Sequence, residues 1–141
     1  MKNLVATAIE EGNFKILINA IQETGLVDTL SKEGPFTIFA PTDKAFEKLP
    51  SKKLENLLKD KEKLTELLTC HVVQDKVMAD DVRKIKYAKT VNGKNISIDK
   101  SKGVKIGNVR VVKTDIECSN GVIHVIEKVL LPDWISKFIL L

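Results

Sequence analysis

GPFTIFAPTDKAFEKLP, residues 34–50, writes a strand, a turn and the start of a helix in one short run. Phe36, Ile38 and Ala40 alternate with Thr37 and Phe39, and aromatic and β-branched residues at period two predict a strand, here apolar enough to be buried on both faces. Pro41 ends it. The side-chain oxygen of Thr42 or of Asp43 can then accept a free backbone N–H in the first turn of a helix. Ala45, Phe46 and Leu49 give that helix an apolar stripe, and Pro50 stops it. No side chain here is of a catalytic type, so the stretch informs the fold directly and the function only through it.

On the N-terminal side, residues 3–24 predict two helical pieces. Leu4, Val5, Ala8 and Ile9 form one stripe, and Phe14, Leu17, Ile18 and Ile21 repeat at i, i+3, i+4, i+7, with Gly12 and Asn13 between them. Gly25 is expected to close the second piece as its C-cap, and Val27 with Leu30 marks a short further turn of helix. On the other side, Ser51 can cap a helix carrying Leu54, Leu57 and Leu58. After a charged break at 59–63, Leu64, Leu67 and Leu68 set a second register. His71, Val72 and Val73 predict a short strand, and residues 77–86 stay open between helix and loop. Three hairpin signals follow: Asn92-Gly93, Gly107-Asn108 and Asn120-Gly121, each between alternating apolar residues. Such pairs supply the positive φ angles of two-residue primed turns. A two-residue turn at Asn120-Gly121 would pair Ser119 with Val122, Cys118 with Ile123 and Glu117 with His124. Helices first and a β-meander second is an α+β order. With no repeat, linker or low-complexity run, one domain over 1–141 is expected. Its last residues, 133–141, read as a helical extension in which Trp134, Phe138 and Leu141 share a face.

A chain of 141 residues can remove roughly 70% of its extended-chain surface from water, and 43% hydrophobic with 30% charged residues reads as globular. The net charge of +4 comes from 23 basic and 19 acidic residues, so the field is weak. Residues 1–14 lack the continuous apolar run of a signal peptide or membrane span, and the four apolar residues at the end are too few to cross a bilayer. Two cysteines make no disulfide framework and leave the redox compartment open. Cys70, His71, Cys118 and His124 are the residues of metal-ligand type. Neighbours in a strand face opposite ways, the turn pairing puts Cys118 and His124 on opposite faces, and structural zinc wants four ligands in tight local pairs, so no metal is expected. There is no Gly-x-Ser-x-Gly elbow and no Gly-rich phosphate loop, while a pair such as Asp80 and Asp81 is too common to signal chemistry. No catalytic residue, no cofactor and no enzyme activity are expected. Arg83, Lys84, Lys86 and Lys89 gather in one run, and Lys100, Lys102 and Lys105 in another. They suit acidic glycans or phosphate backbones, or form a solvated face; no exposed aromatic set accompanies them for base stacking, so nucleic acid is not expected. Asn95-Ile96-Ser97 is a glycosylation sequon, relevant if the chain is secreted. His71 and His124 lie in apolar runs and are expected as hydrogen-bonded structural imidazoles.

Residues 34–50 resemble the first conserved block of the fasciclin domain. SNGVIHVIEKVLLP, residues 119–132, resembles the second block, and LLTCHVV, residues 67–73, the segment between them. The match runs in order from Asn3 to about Pro132. The resemblance implies a fasciclin-like fold, N-terminal helices packed on a wedge-shaped β-sandwich. It also implies a secreted or cell-surface protein that mediates adhesion or binds matrix and surface components. The Asp-Ile pair of the family's proposed integrin-contact motif matches Asp115 and Ile116. Of the family's Tyr-His motif only His71 is kept, because Cys70 stands at the tyrosine position. Asp115 has a plainer role available, hydrogen bonding to local backbone beside a turn. The expectation is a non-enzymatic recognition module that meets surface or matrix proteins or glycans through Asp115, Ile116, His71 and the basic run Arg83, Lys84, Lys86 and Lys89. The alternatives are a carrier of a small apolar ligand between helices and sheet, and a structural module that self-associates weakly through a sheet edge.

Overall fold

In the computed structural model, residues 2–32, 34–49, 51–78, 87–91, 95–99, 105–106 and 109–129 are described, with backbone alone for 53, 87–89, 95–99 and 105–106. Short polar side chains start several of the helices. Helix α1, Leu4–Glu11, is capped by Asn3, whose Oδ1 accepts from the Ala6 amide at 2.9 Å, and it ends at Gly12 with φ 82°. Helix α2, Lys15–Glu23, ends at Thr24, and Gly25, φ 74°, serves as the joint from which α3, Leu26–Leu30, begins. The expected C-cap glycine thus lies one position beyond the cap. Thr42 caps α4, Asp43–Glu47, through the Ala45 amide, while Asp43 crosses over and accepts from the Ile16 amide in the first turn of α2 at 2.8 Å. The two candidate caps at 42 and 43 therefore start two different helices. Asp60 divides α5, Ser51–Lys59, from α6, Lys61–Thr69, and its carboxylate accepts from the Lys63 amide.

The strands are β1, Phe36–Pro41; β2, Val72–Val73; β3, Tyr87–Lys89; β4, Asn95–Asp99; β5, Lys105–Ile106; β6, Val109–Cys118; and β7, Gly121–Ile126. Their order is β2-β1-β7-β6-β5-β4-β3. β1 runs parallel to β7, with Phe36 opposite Gly121 and Pro41 opposite Ile126, and the other pairs are antiparallel. Beyond β3, Thr90 bridges to Val73 and the Val91 amide donates to the Val72 carbonyl at 2.8 Å, so the two ends of the order meet. Every residue of β1 and β7 is buried, as the two-sided apolar pattern of residues 36–41 predicts. Phe36, Ile38, Ala40, Ile123 and Val125 pack under the helices, where Leu17, Phe46, Leu64 and Leu67 meet them. Thr37, Phe39, Val122, His124 and Ile126 alternate to the other face and are equally enclosed. Each large apolar side chain so buried contributes about 1.5–3 kcal/mol. The fold is α+β, as the order of elements predicts.

Ile106 pairs with Val109, the register of a two-residue connection, although Gly107 and Asn108 lie outside the described residues. Lys89 pairs with Asn95, one residue away from the register that a two-residue turn at Asn92-Gly93 would produce; those two also lie outside. At the last hairpin Cys118 pairs with Gly121, Glu117 with Val122 and Ile116 with Ile123, so the turn is Ser119–Asn120. Asn120 is drawn inward, 6% exposed: its side chain accepts from the Leu4 amide and donates to the carbonyls of Leu30 and Lys32. Gly121 is needed for proximity and not for a positive φ, because a Cβ there would sit 1.9 Å from the Phe36 carbonyl oxygen. The two-residue displacement leaves Cys118 and His124 on opposite faces. Residues 79–86 and the C-terminal extension at 133–141 lie outside the described residues.

Candidate functional site

β6 does not pair evenly with β7: the register shifts between Val111 and Lys113 and again between Lys113 and Ile116. At the second irregularity Asp115 has φ 59°, left-handed backbone that L residues other than Asn and Asp seldom adopt. Its amide donates to Nδ1 of His124 at 3.2 Å. That ring is 1% exposed, stacks on Phe39 with centroids 5.6 Å apart, and donates from Nε2 to the Val77 carbonyl at 2.6 Å. The Val77 amide in turn donates to Oγ1 of Thr37, whose hydroxyl donates to the Asp75 carbonyl. The corner at Asp115 is thus tied through β7 to the central strand and to the segment at 75–77. Burial pushes the His124 imidazole below its ordinary range, opposed by the Val77 bond and by the Asp115 carboxylate. Asp115 Oδ1 lies 4.0 Å from Nδ1 on a side chain 38% exposed, while Ile116 is half-buried against the core. The bulge therefore presents a carboxylate at the surface on a fixed base.

His71 sits in the turn after α6, one residue ahead of the strand expected to include it. Its ring is 2% exposed and donates from Nδ1 to the Leu67 carbonyl at 2.7 Å. Burial drives this imidazole from 6.5 down to about 4, against the raising effect of that bond. The expectation of His71 as a contact residue is corrected by this enclosure: a partner cannot reach a ring turned into α6. Its backbone carbonyl instead accepts from the Phe39 amide at 2.8 Å. Since Phe39 stands opposite His124 in β7, the row His71, Phe39, His124, Asp115 runs from the turn ahead of β2 through β1 and β7 to β6. Cys70, at the tyrosine position of the family motif, is buried at the C-cap of α6. Cys118 is buried in β6, and burial pushes its thiol up, a bond from Thr7 lowers it and the charge of Glu11 raises it. Among the described residues no three His, Cys, Asp or Glu side chains converge as a metal site would require, and no helix is long and apolar enough to cross a membrane.

Of the basic run, Arg83, Lys84 and Lys86 lie outside the described residues, and Lys89 is placed by its backbone in β3. The seam between helices and sheet around Leu17, Leu30, Ile38 and His71 holds about 10 Å³, space for roughly one water. A wider opening of about 460 Å³ lies between α1 and α2, beside Ile9 and Ile18 with Lys15 and Gln22 at its rim. Sequence reasoning missed His124 as the residue behind Asp115. Its signal was the alternation Val122, His124, Ile126, which puts the imidazole on an otherwise apolar buried face.

The fasciclin-domain family model matches residues 12–132. "Uncharacterized protein sll1735" of Synechocystis is 40% identical over 131 residues, covering 93% of this chain and 98% of that protein. Transforming growth factor-beta-induced protein ig-h3 of Sus scrofa is 33% identical over 123 residues, 86% of this chain but only 18% of that much longer protein. In three dimensions the chain is similar to a FAS1 domain pair from the insect cell adhesion molecule fasciclin I. The TM-score is 0.80 at 20% identity, over 98% of this chain and 52% of that one, a likeness of fold. The chain belongs to the fasciclin family.

Proposed function

We propose that this fasciclin domain is a non-enzymatic recognition module of the cell surface or extracellular space, and that its contact surface centres on the Asp115–Ile116 corner. The observation that carries the reading is the backbone of Asp115: a residue other than glycine held at φ 59° in an irregularity of β6, its carboxylate partly exposed and its amide fixed by a buried imidazole. Strained backbone maintained by its surroundings clusters where proteins bind or react. Support for the setting comes from family membership and from a fold shared with an insect cell adhesion molecule. By its charge in the sequence, the basic run Arg83, Lys84, Lys86 and Lys89 is proposed as a second contact region, suited to acidic glycans. The carrier alternative finds room for about one water in the described helix–sheet seam. Self-association through a sheet edge meets the bonds of Thr90 and Val91 to β2.

The test is retention of cell-surface proteins and glycans from an extract on the immobilised domain, beside Asp115→Ala and a charge reversal of Arg83, Lys84 and Lys86, with salt raised in steps. A component lost with Asp115→Ala supports the corner, and one lost only with salt or charge reversal supports the basic surface. Equal retention by all three proteins would sink both.

A further inference from the structure

The amide of Asp115 ends on one nitrogen of a buried ring, and the ring's other nitrogen is already committed. Nε2 of His124 faces the Val77 carbonyl at 2.6 Å, so it carries a proton; Nδ1 receives the Asp115 N–H at 3.2 Å, so it presents a lone pair. Only one neutral tautomer satisfies both contacts. Phe39 stacked on the ring leaves it little freedom to turn.

We propose that His124 is the positioning residue of the Asp115–Ile116 corner: neutral, it holds the corner in its left-handed form, and protonated, it releases it. A proton added at Nδ1 converts the acceptor into a donor, so two N–H groups confront each other. The Asp115 carboxylate, 4.0 Å away, then becomes the natural acceptor and turns inward from the surface. Among the described residues, β6 contributes the Asp115 carboxylate to the ring's surroundings and β1 contributes uncharged Phe39; the 75–77 segment contributes the Val77 carbonyl, with Asp75 and Lys76 exposed. Burial outweighs the carboxylate, which puts the transition below the ordinary imidazole range. Recognition through the corner would weaken in acid. That consequence rests on the function proposed above; the coupling of ring to backbone does not.

The experiment is a pH titration of the isotopically labelled chain by NMR, following the ring nitrogens of His124 and the amide of Asp115. At neutral pH, Nδ1 is expected to be bare and Nε2 protonated. As His124 titrates, the Asp115 amide should shift with the same midpoint and lose roughly fivefold in exchange protection, the factor for one ordinary hydrogen bond. Asp115→Asn, which removes the carboxylate's own titration, should keep that response. His124→Asn, which retains an acceptor near the Nδ1 position, should keep the protection and lose the pH dependence. An Asp115 amide that stays still through the His124 titration, or a neutral ring protonated at Nδ1, would overturn the proposal. If the coupling is seen and Asp115→Ala binds every partner normally, the positioning role stands and the recognition reading fails.

Discussion

Replacing His71 by asparagine should remove a definable share of the protein's sensitivity to acid. In the unfolded chain this imidazole takes its proton near 6.5, and in the folded chain at about 4, because the ring is 2% exposed. Between those values the unfolded state binds more protons than the native state, so stability falls as pH drops through the window and levels off below the lower value. For His71 alone the loss is about 2 kcal/mol at pH 5 and about 3 kcal/mol by pH 4. His124, also lowered by burial, pulls the same way and is present in both proteins. The assay is urea unfolding of the native chain and His71→Asn at pH 7.5, 5 and 4. The asparagine amide can donate to the Leu67 carbonyl as Nδ1 does, without titrating. The stability gap between the two should close in acid by the amounts above. Curves that stay parallel across the window would refute the burial argument for this ring.

Gly121→Ala should destabilise the protein severely, since a Cβ 1.9 Å from the Phe36 carbonyl oxygen forces β1 and β7 apart; lost cooperativity in thermal unfolding would report it, and a normal melt would contradict it. Asn120→Ala should cost about 3–5 kcal/mol in denaturant, because it strands the Leu4 amide and the carbonyls of Leu30 and Lys32. Cys118 should resist alkylation in the native state at pH 8 and react at once in denaturant, since it is buried and its thiol is pushed up; rapid native labelling seen by mass spectrometry would be the contrary result.

Local chemistry made much of this fold legible. The alternation at 36–40, the cap at Thr42, and the stripes of Leu54, Leu57, Leu64 and Leu67 each depend on near neighbours, and each stands where the pattern placed it. What depended on distant chain was misplaced. Asn120-Gly121 looks like a primed turn, yet Asn120 is pulled in to serve α1 and α3, and Gly121 is required by the approach of β1, its parallel neighbour. Asp115 was legible only through its family motif. Nothing in Lys113-Thr114-Asp115 announces a bulge, because the irregularity is defined by pairing with β7 and held by a histidine nine residues on. His71 was correctly expected as a hydrogen-bonded structural imidazole and wrongly as a surface contact, for the same reason: the ring is enclosed beside α6.

The most direct test of the central claim is the attachment of cells to a surface coated with the domain, comparing the native chain with Asp115→Ala after matched unfolding curves show both folded. If the Asp115 corner is the recognition surface, attachment falls sharply with the alanine variant at constant salt. Equal attachment to the two coatings would contradict it.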